Sequence, residues 1–565
     1  MADQESGMTL WLFFSISICV FGNSFLYGYN IGAVNSPARL IKAFYSQVYL
    51  ARQGIETVYN PLEKSLYYTE KYFNTTRTDS EVSTARVATL TPGLLDNANM
   101  TTTIRPALLA RNEEEIEADN FIEIMWSLTV ALFVFFGMIG AFSSGRIADY
   151  FGRKRGMVLI TFIQILAGIF GGIPTFAKAP ECLMVSRVLV GLHSGINISL
   201  AALYLAEIAP TKIRGAVGTC HQLFITVGIL FSMVLGLPEL AGRWSTWPIV
   251  FAFNAVPSII CLIFFPFCPE SPRFLLIKKN DEAGARQALK KLRGHDFIND
   301  EMEEMRIEAR KASAVKNFSL KELLTTPDLK LPVIIACFLQ VAQQWSGINA
   351  AMSYSSFIFS QANVPSATIP YVIVGQGAIN VISSIFAVPL MEKLGRRPLL
   401  IFPMGVMVVS FIVLTVCLNL LQLDAFSEQK MTLAIVCIIV VHTYVIGFAL
   451  GLGPIPFLIG GEIFRQAPRA AAMSLSLAFN WVCNFILMLT FRFIQKGIGA
   501  YTYLIFIVIL VIAIIFIVIF VPETKNKTFD EIAQSIAFGR ASRSGGLAVQ
   551  RDEEEMKPMR RKSKD

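Results

Sequence analysis

Long apolar stretches return at regular intervals along the chain. Runs at about 10–35, 121–143, 157–176, 181–204, 216–237, 247–267, 331–358, 369–391, 399–421, 431–459, 470–494 and 500–521 are each long enough to cross a hydrocarbon core ~30 Å thick. Six lie before residue 270 and six after 330, with a polar stretch between. The pattern predicts an all-α membrane protein of twelve transmembrane helices in two six-helix pseudo-symmetric halves. Residues 1–9 form a short N-terminus, 10–267 the first half with a large loop at about 38–120, and 268–330 a helical linker. The second half is 331–521, followed by a tail over 522–565 that the composition predicts to be disordered beyond about 537.

Composition narrows the class. Of 565 residues, 54% are hydrophobic and only 16% charged, too few charges to cover a soluble protein of this size. The net charge of +8 is not gathered into a nucleic-acid-binding patch. Instead the cations sit in alternate short connections: Arg146, Arg153, Lys154 and Arg155, then Lys212 and Arg214, then Lys393, Arg396 and Arg397, then Arg465 and Arg469. The positive-inside rule places these, the linker and both termini in the cytosol, and the 38–120 loop outside. That loop holds the glycan acceptor triplets Asn74-Thr75-Thr76 and Asn99-Met100-Thr101. The first residues are acidic, unlike a cleaved signal peptide, so the first run is expected to remain as an anchor. The nine cysteines lie in or beside apolar runs without metal-ligand spacing. With no nucleophile–base pair, phosphate loop or metal cluster, the sequence points to no cofactor and no enzyme. In the linker, Asp281 to Leu292 reads as an amphipathic helix and Ser319 with Glu322 as a capping box.

Three signatures occur twice. Asp149-x-x-Gly152-Arg153-Lys154 returns as Glu392-x-x-Gly395-Arg396-Arg397, Glu207 with Arg214 as Glu462 with Arg469, and Pro269-Glu270-Ser271 as Pro522-Glu523-Thr524. Their common order marks an internal duplication. With Gly28-Tyr29-Asn30, His221-Gln222-Leu223-Phe224-Ile225, Gln343-Gln344-Trp345-Ser346-Gly347-Ile348-Asn349 and Gly453-Pro454-Ile455-Pro456, they resemble the sugar porter family of the major facilitator superfamily, and within it the animal facilitative hexose transporters. The likeness covers roughly 10–535, with an outer loop longer than is usual there.

Apart from any family, polar side chains inside spans are the functional candidates. Gln222, Gln343, Gln344, Asn349, Asn380, Asn480 and Asn484 are uncharged amides, each able to donate and accept, as the hydroxyls of a neutral sugar require. Buried amides also serve as interhelical glue, and that reading stays open for any one of them. The resemblance implies that all but Asn484 contact the sugar, with Ile225, Phe448 and Phe457 beside them. Phe457 stands where the glucose-preferring branch has Trp, and Ala449 where it has Glu. Gly451, Gly453, Pro454 and Pro456 predict a broken helix in the tenth run and Gly347 a softened seventh; the resemblance implies that Tyr354 is the outer-gate aromatic.

Coupling rests on Asn30. The resemblance implies an aspartate at this position in proton-coupled relatives, and an amide cannot titrate. Facilitated diffusion of a hexose follows, glucose ahead of fructose. Proton symport and a non-transporting sugar sensor are the alternatives. Asp149, Arg153, Glu207 and Arg214 are expected to pair with Glu392, Arg396, Arg397, Glu462 and Arg469 across the halves when the cytosolic mouth closes, with Gly152 turning the chain between Asp149 and Arg153.

Overall fold

The computed structural model describes residues 8–53, 57–60, 65–68, 113–210, 213–314, 320–423, 428–464, 466–525, 527, 531–532 and 534–536. Ten segments are long and apolar enough to cross a membrane. One of them, Ala471–Phe520, holds two helices parted by a turn at Gly499–Tyr501, and a shorter apolar helix covers Cys220–Leu235. Splitting the first and adding the second gives twelve spans. In chain order these are α1 (Leu10–Gly32), α2 (Asn120–Phe151), α3 (Arg153–Gly172), α4 (Pro180–Ile208), α5 (Arg214–Leu235), α6 (Trp247–Phe267), α7 (Pro327–Ser353), α8 (Ile369–Leu394), α9 (Arg396–Leu420), α10 (Lys430–Glu462), α11 (Gln466–Ile498) and α12 (Thr502–Phe520).

The duplication is visible in the packing. In the first half α2 lies on α4, α4 on α3, α1 on α5 and α3 on α6; in the second, α8 lies on α10, α10 on α9, α7 on α11 and α9 on α12. The halves meet where α2 touches α11 and where α5 touches α8, again a matched pair. Large apolar side chains such as Phe402, Ile439 and Val508 are exposed on the outside, as a lipid-facing surface requires, while amides and hydroxyls collect inside.

Several boundaries differ from the sequence pattern. The second run is drawn to 143, but its helix continues to Phe151, with Ser143 and Ser144 donating their hydroxyls to the Ile139 and Ala141 carbonyls so that these polar side chains are satisfied within the helix. The 38–120 segment reads as loop, yet Ala38–Arg52 is a helix that buries Ile41, Phe44, Tyr45 and Val48. A two-stranded antiparallel hairpin, β1 (Thr57–Asn60) with β2 (Ser65–Tyr68), interrupts the all-α pattern. The linker contains the expected helix, Glu282–Arg293, with Asp281 accepting from the Gly284 N–H at 2.8 Å. Ser319, both glycan acceptor sites Asn74 and Asn99, and the tail beyond 537 lie outside the described residues.

Candidate functional site

One amide network ties three elements of the second half together. α7 is interrupted at Gly347, whose φ of +89° suits glycine. The residues before it, Gln340, Gln343 and Gln344, point at α11. Asn480 Nδ2 donates to Gln340 Oε1 and to Gln343 Oε1, both at 2.7 Å, while its Oδ1 accepts from Gln344 Nε2 at 2.9 Å. Asn349, past the break, donates to Gln344 Oε1 at 2.5 Å and Asn484 Oδ1 at 2.9 Å.

The third element is α10, which stops being helical after Leu450 and resumes at Ile455. Glycine and proline residues there leave carbonyls without helical partners. Gln343 Nε2 takes two of them, Leu452 O at 2.8 Å and Gly453 O at 2.9 Å. Irregular backbone at membrane depth is thereby satisfied by the same side chain that joins the network. Phe448 is half-buried beside the break, its carbonyl accepting from the Gly453 N–H at 2.9 Å; Phe457, past it, is 38% exposed.

The remaining candidates stand apart from that network. Asn380 on α8 is buried and Gln222 on α5 exposed, and neither carboxamide is bonded within the described residues. Ile225 is buried, its backbone pressed against Gly28 of α1, where an added Cβ would fall 1.8 Å from the Ile225 carbonyl oxygen. Tyr354 is buried, its ring 5.1 Å from Phe491 and its hydroxyl donating to Met488 O at 3.3 Å.

The first half has its own polar interior. Asn30 and Asn254 exchange two amide bonds at 2.8 and 3.0 Å, and Gln164 Nε2 donates to Asn254 Oδ1 at 2.9 Å. Against them lies Arg187, 1% exposed, with Nη1 donating to Asn30 O at 3.2 Å and its guanidinium 4.4 Å from the Phe133 ring centre. No carboxylate pairs with it among the described residues. Sequence reading missed Arg187, Asn254 and Gln340; the signal for Arg187 was a cation inside an otherwise apolar run.

At the end of the bundle that carries the linker, the repeated motifs fold into two copies of one arrangement. Gly152 and Gly395, at φ +91° and +89°, turn the chain into α3 and α9. Glu270 accepts from the Arg153 and Lys154 N–H groups at 3.1 and 3.0 Å, and Glu523 from Arg396 and Arg397 at 3.0 and 2.9 Å. Each carboxylate thus caps the positive end of a helix. Burial alone would raise the Glu523 carboxyl, but backbone donors from Lys525, Arg396, Arg397 and Thr524 outweigh it and hold it below the ordinary range. Arg153 grips Glu207 through two bonds of 2.9 Å, and Arg396 reaches Glu462 at 2.8 Å. Asp149 pairs with Lys278 at 3.0 Å, Arg397 donates to Val518 O at 2.5 Å, and Arg469 donates to Phe464 O at 3.1 Å.

The described ion pairs at this end, Arg153 with Glu207, Asp149 with Lys278 and Arg396 with Glu462, do not cross between the halves. At the opposite end the two halves are bonded to each other. There Arg492 of α11 meets Glu123 of α2 at 2.8 Å, Lys496 donates to Asn120 Oδ1 at 2.5 Å, Asn35 donates to Ser355 Oγ at 2.6 Å, and Tyr371 bonds Glu239. The side chains of Arg214 and Glu392 lie outside the described residues.

Residues 16–535 match the model of the family described as "Sugar (and other) transporter". The chain belongs to that family. It is 36% identical over 531 residues to the solute carrier family 2 facilitated glucose transporter member 5 of Pongo abelii, covering 94% of this chain and 93% of the relative. It is 34% identical over 542 residues to member 1 of Gallus gallus, covering 96% of each. Among solved structures, the inward-open xylose transporter XylE from E. coli superposes with a TM-score of 0.65 at 20% identity, over 93% of this chain and 99% of that one. The sugar transporter family therefore carries the fold, that of the major facilitators, and the chain is a multi-pass membrane transporter rather than an enzyme.

Proposed function

We propose that this chain is a hexose uniporter of the plasma membrane, both termini cytosolic, working by alternating access without a coupling ion. D-glucose is the leading substrate and fructose the next. In this orientation the end bearing the linker faces the cytosol, and the end where the halves are bonded to each other faces outward. Relatives named as facilitated glucose transporters support the substrate class. The candidate amides support a neutral polyol, since Gln222, Gln343, Gln344, Asn349, Asn380 and Asn480 offer donors and acceptors but no charge. In this conformation most of the amide network is bonded to itself, so a sugar binds by exchanging internal amide bonds for its own hydroxyls. The interruptions at Gly347 and at Gly451–Pro454 are where α7 and α10 bend as the mouths alternate.

The observation that carries uniport is the neutral side chain of Asn30, buried and bonded only to amide and carbonyl groups, with Asn254 exchanging two bonds with it. A coupled carrier needs an internal group whose proton comes and goes with substrate. An amide does not titrate. The decisive experiment is radiolabelled glucose uptake into proteoliposomes, with and without a proton gradient and with fructose as competitor. Saturable entry that ignores the gradient and yields to fructose supports the proposal; accumulation driven by the gradient would replace it with symport. Sugar binding without any flux would make the protein a sensor.

A further inference from the structure

Where α6 ends, Phe265–Phe267 tightens into a 3-10 turn, and two lysines from separate elements converge on it. Lys154, at the start of α3, donates to Pro266 O at 2.6 Å; Lys291, from the linker helix Glu282–Arg293, donates to Phe267 O at 2.9 Å. These carbonyls are consecutive, so both ammonium groups are fixed on one short turn. Lys291 also lies 3.8 Å from the centre of the Trp11 ring.

The surroundings are those of a bilayer boundary. Trp11, its ring 5.9 Å from that of Phe14, is 39% exposed, and Phe13 of α1 and Phe264 and Phe267 of α6 are 58%, 42% and 59% exposed. The linker helix is fixed to this corner, Thr9 Oγ1 donating to Leu292 O at 2.6 Å. Arg155 is exposed and unpartnered among the described residues. Glu270, the acid of this corner, is occupied by the Arg153, Lys154 and Ser271 N–H groups. Each lysine spends one of its three donors on a carbonyl and keeps the others for an incoming acceptor.

We propose that Lys154 and Lys291, with Arg155 and Trp11, form a binding site for an anionic phospholipid. Two fixed ammonium groups meet the headgroup phosphate and carboxylate, the indole takes the interfacial level where amphipathic rings settle, and the exposed phenylalanines meet the acyl chains. The lipid ties the linker helix to the first half. This site does not depend on which sugar is carried or whether transport is coupled.

Native mass spectrometry of the full chain, extracted from phosphatidylcholine vesicles with or without phosphatidylserine, tests it. The unaltered chain is expected to retain phosphatidylserine preferentially. Each lysine contributes roughly fivefold in affinity at such a surface, so Lys154→Gln with Lys291→Gln weakens retention ~30-fold and Lys291→Gln alone, which spares the start of α3, roughly fivefold. Lys321→Gln with Lys330→Gln, removing the same charge elsewhere on the linker and the start of α7, leaves retention unchanged. Equal losses in both double variants, or none in Lys291→Gln, would overturn the site in favour of diffuse attraction. Displacement of the lipid by inorganic phosphate at matched ionic strength would overturn it in favour of a soluble anion.

Discussion

At one end of the bundle a charged contact crosses the interface between halves; at the other, charges are paired inside each half. Glu123 of α2 holds Arg492 of α11 and, at 2.7 Å, Lys42 of the helix Ala38–Arg52. Arg492 is also stacked 3.7 Å from the centre of the Phe357 ring. The end bearing the linker keeps Arg153 with Glu207 and Arg396 with Glu462. The first arrangement must break for the carrier to open that way, and its energy enters the conformational equilibrium directly. The second rides along with each half as it rocks, so its energy goes mainly into holding that half rigid. Equal-looking salt bridges therefore do different work according to whether the moving interface passes between the partners.

The largest effect tests rigidity. Glu207→Gln leaves the Arg153 guanidinium, whose side chain is 8% exposed, with only the more distant Asp149 carboxylate at 4.0 Å, a loss of about 3 kcal/mol for a pair this buried. A drop in melting temperature in detergent, with little change in which mouth is open, is expected; a large change in accessibility would erase the distinction between the ends.

Next comes the cross-half contact. Glu123→Gln strands Lys42 and Arg492 together, but Glu123 and Lys42 are about a quarter exposed, so screening limits the effect to about 1–2 kcal/mol. That is about tenfold in population toward the form open at this end. A single cysteine placed at Ile225 should react faster with an impermeant thiol reagent from that side, and the exchange Glu123→Arg with Arg492→Glu should restore the original rate. Glu462→Gln should shift the same equilibrium less. Its carboxylate already has Arg396 and Thr524 as partners here, and the proposed cross-half pairing would give it another partner in the opposite state, so removal weakens both.

Gly395→Ala places a Cβ at φ +89°, 2.8 Å from a Glu523 carboxylate oxygen, and is expected to lower stability by about 1 kcal/mol or more, again without redirecting the mouths. The smallest effect is one of pH. Glu523 has a lowered folded value, so its contribution is complete above the unfolded carboxylate range and disappears as pH falls through the folded value. Melting curves from neutral to acid pH should flatten slightly in Glu523→Gln; an unchanged slope would mean the cap contributes nothing.

The fold was legible because apolar length and cation placement are local properties of the chain. The duplication was legible for the same reason: Gly152 and Gly395, or Glu270 and Glu523, repeat at positions where a backbone turn and its cap demand particular residue types. The helix Ala38–Arg52 was not, since its buried stripe of Ile41, Phe44, Tyr45 and Val48 is short and set in a polar segment. Among site residues, Gln343 and Asn480 stood out as amides in apolar runs. That Gln343 would satisfy the broken end of α10 while Asn480 bridged Gln340 and Gln343 depends on which helices face each other.

By itself, then, the sequence determined twelve spans, two matched halves and an interior of neutral amides, because each follows from spacing along one strand of chain. Partnership was decided only by the tertiary structure: Arg187 beside Asn30, Glu123 against Arg492, Lys154 beside Lys291. Each brings together residues more than a hundred positions apart in sequence, and which polar side chains come within reach of one another depends on how the helices pack, which no local spacing encodes.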